Sequence, residues 1–257
     1  MGSDNTALYP SLRERHVVVT GGAEGIGAAL VAAFCRQGMA VTFLDINGPA
    51  ALATIARVAE QGGAIPRYLH CDLTDIPALQ AALRDAVNNS GPVRVLVNNA
   101  ANDDRRDWRD VTSEGWDRHM SINLKQQFFA IQAVAEGMAA AGGGSIVNMG
   151  SIVWKLGRGG LPCYATAKAA IVGLTRSFAR DLGPMGIRVN CVLPGWIMTR
   201  RQIALWLTPE SEADMLEGQC LKRRLVPDDV APMVMFLASD DAGACTSQNY
   251  VIDGGWS

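Results

Sequence analysis

Tyr164 and Lys168 stand four residues apart in LPCYATAKAAIVGLTR (161–176), a phenol and an ammonium in an alanine-rich stretch. On a helix that spacing puts both side chains on one face, a turn apart. A free tyrosine, with a pKa of about 10, is a poor base at neutral pH. A neighbouring cation favours the phenolate, and lowering its pKa by roughly three units needs about 4 kcal/mol of differential interaction. The pair could therefore act as an acid/base group. Taken alone, a helical Tyr/Lys pair is more often a solvated surface pair.

A second constellation lies near the start of the chain. TGGAEGIG (20–27) follows the apolar run HVVVT and opens a helical stretch. Gly21, Gly25 and Gly27 permit a tight turn and close backbone approach to a pyrophosphate, and the helix that begins around Gly25, with Ile26 in its first turn, offers free N–H groups. Asp45 ends the next apolar run, roughly 20 residues on, where a carboxylate accepts hydrogen bonds from an adenosine ribose. Neither Ile46 nor Asn47 is basic, and Glu24 lies inside the glycine loop. Two carboxylates there would repel a 2′-phosphate, which points to NAD rather than NADP. The glycines alone could make no more than a strand-to-helix turn, and Glu24 alone reads as a solvated loop charge.

The elements that must position these residues alternate along the chain. Buried β-rich runs cover 16–20, 40–45, 66–72, 93–99, 145–151, 187–195 and 248–253. Helical patterns cover 25–37, a stretch ending near 62–63, 75–88, a long 112–141, 162–182, a short one opening at Thr208-Pro209, and 227–238. Strand, helix, strand, repeated, implies an α/β fold: a doubly wound, Rossmann-type parallel sheet of seven strands in the order 3-2-1-4-5-6-7, helices on both faces. No linker, repeat or low-complexity tract divides it, so residues 1–257 read as one domain, with the irregular 196–226 as a segment over one end of the sheet.

Composition narrows the function classes. The 257 residues carry a net charge of -2, with no basic footprint for nucleic acid or an anionic membrane. No apolar run approaches the roughly 20 residues of a spanning helix. The opening MGSDNTALYPSLRER has no apolar export core, and the six cysteines form no CxxC pair, so they read as reduced thiols of a cytoplasmic protein. The three histidines are isolated and suggest no metal site.

With these residues in hand, the chain resembles the short-chain dehydrogenase/reductase family from end to end. The matches are TGGAEGIG, Asp72 and Leu73 after the third strand, NNAA (98–101) with Asn99 and Ala100, Asn123, Ser151, YATAK (164–168), and Pro194-Gly195 ahead of Ile197 and Thr199. The family usually has NNAG, and Ala101 here adds a methyl. The resemblance implies oxidation of an alcohol, with NAD accepting the hydride and Tyr164 the proton. Lys168 would also hold the nicotinamide ribose, Ser151 would bond the substrate oxygen, and Asn123 would hold a proton-passing water. It also implies a homotetramer, built through the helix at 162–182 and the long one before it. Ala165, Ala169, Gly173 and Ser177 form a small-residue stripe there; the alternative is packing on the protein's own sheet.

The substrate cavity should draw on NDDRRDW (102–108), SIVWKLGRGG (151–160) and WIMTRRQ (196–202). Asn102, Ser151, Trp154, Tyr164, Trp196 and Arg200 are the candidate substrate residues, since aromatic faces cover sugar faces and polar groups read hydroxyls. The charges of NDDRRD read mainly as a solvated face. A closer resemblance, through NNA-x-NDDR, TRRQ, LTPESEA, FLASDDA and DGGW, is to bacterial NAD-dependent D-xylose 1-dehydrogenases. It implies oxidation of an aldose at C1 to a lactone, with D-xylose, L-arabinose, D-galactose and L-fucose all open. A 3-oxoacyl or ketone reductase of the same family, and a non-catalytic NAD-binding protein, are the alternatives.

Overall fold

The computed structural model describes residues 7–257; the first six residues, part of the stretch read above for an export signal, lie outside the described residues. Seven parallel strands form one sheet in the order β3-β2-β1-β4-β5-β6-β7, as the alternation predicts. They are β1 (His16–Thr20), β2 (Ala40–Asp45), β3 (Arg67–His70), β4 (Val93–Asn98), β5 (Gly144–Met149), β6 (Ile187–Pro194) and β7 (Asn249–Ile252). β3 is shorter than the 66–72 expected, so Asp72 and Leu73 lie in the turn beyond its end.

Alternation along the strands splits the core into two layers. Val17 and Val19 of β1, with Val95 and Val97 of β4, pack on one face beneath α1 (Gly25–Arg36) and α9 (Pro227–Ala238). Val18 and Leu96 point the other way, onto α3 (Ile76–Ser90), α5 (Gln126–Ala140) and α6 (Pro162–Leu182). Every residue of β1 is buried, because helices cover both faces of a central parallel strand. Local chemistry sets where helices begin. Asn47 accepts the Ala50 N–H to cap α2 (Gly48–Glu60), and Asp75 accepts the Ala78 N–H to cap α3.

The stretch expected as one long helix over 112–141 is interrupted. α4 (Ser113–Met120) and α5 are joined by a single π-helical turn, Ser121–Lys125, centred on Asn123. Such a turn widens the helix and shifts its hydrogen-bond register. Within 196–226, where no regular element was expected before Thr208, the chain forms α7 (Arg200–Trp206) ahead of α8 (Pro209–Gly218). Thr199 caps α7 by accepting the Gln202 N–H. No helix among the described residues is long and apolar enough to cross a membrane.

Candidate active site

Strand order reverses between β1 and β4, and the loops that leave their C-terminal ends meet there, as doubly wound sheets require for a ligand crevice. Asn99 ties the loops together: its side-chain amide donates to the Thr20 and Gly21 carbonyls at 3.1 and 2.8 Å. Thr20 Oγ1 accepts the Asn99 and Ala100 backbone N–H groups. Gly21 takes φ 68°, and a Cβ on it would meet Ala100 Cα at 2.7 Å. A Cβ on Gly27 would meet the Gly21 carbonyl oxygen at 1.8 Å. No side chain caps α1, so its first N–H groups face the crevice without a side-chain acceptor. This is a cradle that fits a pyrophosphate.

The end of the crevice beside β2 is acidic. Asp45 accepts the Ala23 and Asn47 backbone N–H groups, one on each oxygen, at 2.9 Å. Asn47 also donates its side-chain amide to Glu24 at 3.2 Å. Glu24 is thus more than a free loop charge; the same asparagine holds it beside Asp45. Ile46 is exposed next to them, Asp72 is bonded by the Thr74 backbone and hydroxyl, and Leu73 is buried. Across the crevice, Gly195 hydrogen-bonds β7, Ile197 is buried, and Thr199 lies against Gly25, where an added Cβ would meet its methyl at 3.0 Å. Ala101 is exposed and its φ is not positive, so the methyl in place of the family glycine strains nothing.

Tyr164 and Lys168 do share a face of α6. The Lys168 ammonium lies 5.5 Å from the centre of the Tyr164 ring and donates to the Met149 carbonyl at 2.7 Å. Lys168 is 2% exposed, and burial pulls its pKa down to about 8. Burial also pushes the Tyr164 phenol up, and the Asp103 carboxylate pushes the same way; the Ser151 hydroxyl and the Arg105 guanidinium oppose them. The expected lowering joined the lysine to a cationic nicotinamide; among the chain's own groups, burial acts more strongly on the phenol. Desolvation dominates, because the same enclosure that holds both groups disfavours their charged forms.

Asn123 is fully buried, but its side chain is engaged by the chain. Its Oδ1 accepts the Asn102 N–H at 2.9 Å, and its amide donates to the Asn102 and His119 carbonyls. One amide hydrogen therefore holds the loop at Asn102 and the other is taken up by the His119 carbonyl of α4. Contact with a water falls to the remaining Oδ1 lone pair or to a carbonyl of the π turn.

The substrate-side residues divide. Trp196 is half-buried and donates its indole N–H to Gln202 Oε1 at 2.8 Å. Trp154 is 39% exposed and Arg200 points to solvent; nothing brings either against Tyr164. Arg201, not Arg200, reaches across: it bonds Asp103 Oδ1 and Asn102 Oδ1, both at 3.1 Å. Gln202 Nε2 donates to Asp103 Oδ2 at 2.7 Å, and Arg105 stacks on Trp206 with 4.1 Å to the ring centre. NDDRRD is therefore not one solvated face. Asp104 and Asp107 pair outward with Arg106 and Arg109, whereas the Asp103 side chain is only 15% exposed. The partners lie 98 or 99 residues apart, so no local pattern announced them.

Known proteins agree with this geometry. The family described as Enoyl-(Acyl carrier protein) reductase matches residues 21–257. A Rhizobium meliloti protein described as a probable galactose dehydrogenase is 54% identical over 97% of this chain and 98% of its own. A D-xylose 1-dehydrogenase of Caulobacter vibrioides is 51% identical over 98% of this chain and 99% of its own. The structure of a short-chain type dehydrogenase/reductase from Mycobacterium ulcerans superposes with a TM-score of 0.90 at 29% identity, covering 96% of this chain and 90% of that one. A family match over residues 21–257, together with likeness over nearly the whole length of such relatives, places the chain in the short-chain dehydrogenase/reductase family.

Proposed function

We propose that this protein oxidises an aldose at C1 to an aldonolactone, with NAD as cofactor. The observation that carries the reading is full-length identity of 54% and 51% to a galactose and a xylose dehydrogenase. When bound, the oxidised nicotinamide supplies the hydride acceptor and a positive charge beside the phenol.

The chain's residues do the rest. The glycine cradle and the uncapped N-terminus of α1 bind the pyrophosphate, and Asp45 accepts ribose hydroxyls while Asp45 and Glu24 together repel a 2′-phosphate. Asp72, Leu73, Asn99, Ala100, Pro194, Gly195, Ile197 and Thr199 line the same crevice. Ser151 hydrogen-bonds the anomeric oxygen and steadies its developing charge. Tyr164 Oη takes the proton from that oxygen. Lys168, fixed by the Met149 carbonyl, keeps a positive charge under the phenol and reaches the nicotinamide ribose. Asn123 holds the 102–106 loop against the site.

Residues 1–257 work as one dinucleotide-binding and catalytic domain, with 196–226 covering the sugar. The assembly is a homotetramer: the Gly173 and Ser177 part of the small-residue stripe is exposed, with nothing within 4 Å of a Cβ on Gly173, so it is not packed on the protein's own sheet. The cysteines described are all free, in keeping with a cytoplasmic setting.

The test is NADH formation with D-xylose, L-arabinose, D-galactose and L-fucose, beside simple secondary alcohols and acetoacetyl thioesters, with NAD and NADP in parallel. Oxidation of at least one aldose, with NAD preferred, is expected. Activity confined to alcohols or thioesters overturns the sugar assignment and leaves the family untouched.

A further inference from the structure

We propose that Asp103 is the residue that reads the sugar: its carboxylate accepts a hydrogen bond from a substrate hydroxyl other than the one being oxidised, and Arg201 and Gln202 hold it in position. The inference rests on the aldose reading above and extends it to a residue and a contact.

Asp103 follows Asn102, whose backbone is pinned by buried Asn123, so the start of the loop is fixed from below. From above it is fixed by α7. Arg201 Nε donates to Oδ1 at 3.1 Å and Gln202 Nε2 to Oδ2 at 2.7 Å. Each oxygen thus has one protein donor and one lone pair still available. The side chain is 15% exposed, well inside the surface yet open on one side. The loop that carries it leaves the C-terminal end of β4 at the crevice and is tied to α7 across it, and the carboxylate is near enough to the Tyr164 phenol to act on its charge. A carboxylate beside the proton-accepting phenol, with unused acceptor capacity, is a natural partner for the vicinal hydroxyls of a polyol and has nothing to offer a simple ketone or a thioester.

The orientation of Gln202 is dictated by chemistry. The Trp196 indole N–H can only donate, so Gln202 must present its carbonyl oxygen there and its NH₂ to Asp103. One amide therefore links an aromatic wall to the carboxylate and keeps both in register. Thr199, which accepts the Gln202 backbone N–H, joins this unit to the cofactor side of the crevice. Arg201 and Gln202 are positioning residues; Asp103 makes the contact. The other groups facing the phenol are Ser151 and Arg105, with Arg105 stacked on Trp206 and Arg158 acting on Arg105 in turn.

The experiment compares wild type, Asp103→Asn, Asp103→Glu and Gln202→Glu, with NAD, on D-xylose and D-galactose and their singly deoxygenated analogues. Loss of a hydrogen bond to a charged acceptor should raise the KM for the sugar on the order of tenfold or more in Asp103→Asn, with the KM for NAD near the wild-type value. For one deoxy analogue, the one lacking the hydroxyl that Asp103 accepts, Asp103→Asn should cost little or nothing. Gln202→Glu sets acceptor against acceptor and should mimic Asp103→Asn, whereas Asp103→Glu should restore part of the affinity. Removing the negative charge beside the phenol should also move the acidic limb of the kcat/KM profile to lower pH, a change that mere loss of packing does not produce. An unchanged sugar KM in Asp103→Asn, or equal penalties on the parent sugars and all deoxy analogues, overturns the inference alone. A wild type that oxidises no aldose overturns the substrate reading, and this inference with it.

Discussion

Lys168 sits one helical turn from Tyr164, with its ammonium 5.5 Å from the centre of the phenol ring and hydrogen-bonded to the Met149 carbonyl at the end of β5. Sheet and helix thus fix the distance between two groups whose charged forms the enclosure disfavours. In this arrangement burial disfavours the phenolate.

Tyr164→Phe should lower kcat by about 10²–10⁴-fold, the usual contribution of a general acid/base, while NAD affinity by fluorescence titration stays near the wild-type value. The wild-type oxidation rate should rise with pH, since burial holds the phenol above its ordinary pKa and the phenolate is the active form. A Tyr164→Phe enzyme that keeps more than about a tenth of wild-type kcat would remove the phenol from the chemistry.

Stability should report the buried lysine. Burial pulls folded Lys168 down to about 8, below the 10.5 of a free lysine. Between those values the unfolded chain holds more protons than the folded one, so stability rises with pH. Tyr164 acts in the opposite sense above its ordinary 10.0, because its folded pKa is raised and the unfolded chain ionises first. The lysine therefore acts without that opposition between pH 8 and 10. Urea unfolding without nucleotide should show wild type gaining on Lys168→Met across that window. A constant difference would mean that folding does not disfavour the lysine's charge.

Asp45→Asn should raise the NADP/NAD ratio of kcat/KM by about tenfold, through loss of the negative charge that repels a 2′-phosphate. Asp45→Ala should do the same and also destabilise the fold by about 1 kcal/mol, because it leaves the part-buried Ala23 N–H without its acceptor. A wild type that uses NADP as well as NAD would show that the carboxylates do not discriminate.

The same substitution should have opposite signs at two glycines. Gly27→Ala drives a methyl into the Gly21 carbonyl oxygen, a backbone atom that cannot step aside, and should cost about 1–3 kcal/mol as well as most of the NAD affinity. Gly137→Ala, inside α5 with nothing within 4 Å of the new Cβ, should stabilise by about 0.5–1 kcal/mol. Thermal unfolding with and without NAD reads both; a Gly27→Ala protein that binds NAD normally would dissolve the cradle.

The amino-acid sequence by itself determined the class of sheet, its seven strands and their order, the glycine loop, the carboxylate at the end of β2 and the Tyr164–Lys168 pair. The strands, the glycine loop and the pair rest on local periods and short spacings, whereas the strand order also needs the right-handed crossover rule of doubly wound sheets. Tertiary structure alone decided the rest. It interrupted the long helix at Asn123, where the side chain turns out to anchor the 102–106 loop. It set Asp103 inward beside two outward-paired aspartates of the same run, chose Arg201 over Arg200, and left Trp154 partly in solvent while tying Trp196 to Gln202. It also set how strongly burial acts on the phenol, since desolvation depends on how much protein surrounds a group and not on which residue stands four positions away. Those outcomes depend on contacts between segments nearly a hundred residues apart, and composition and periodicity are blind to which of two neighbouring charges will face its distant partner.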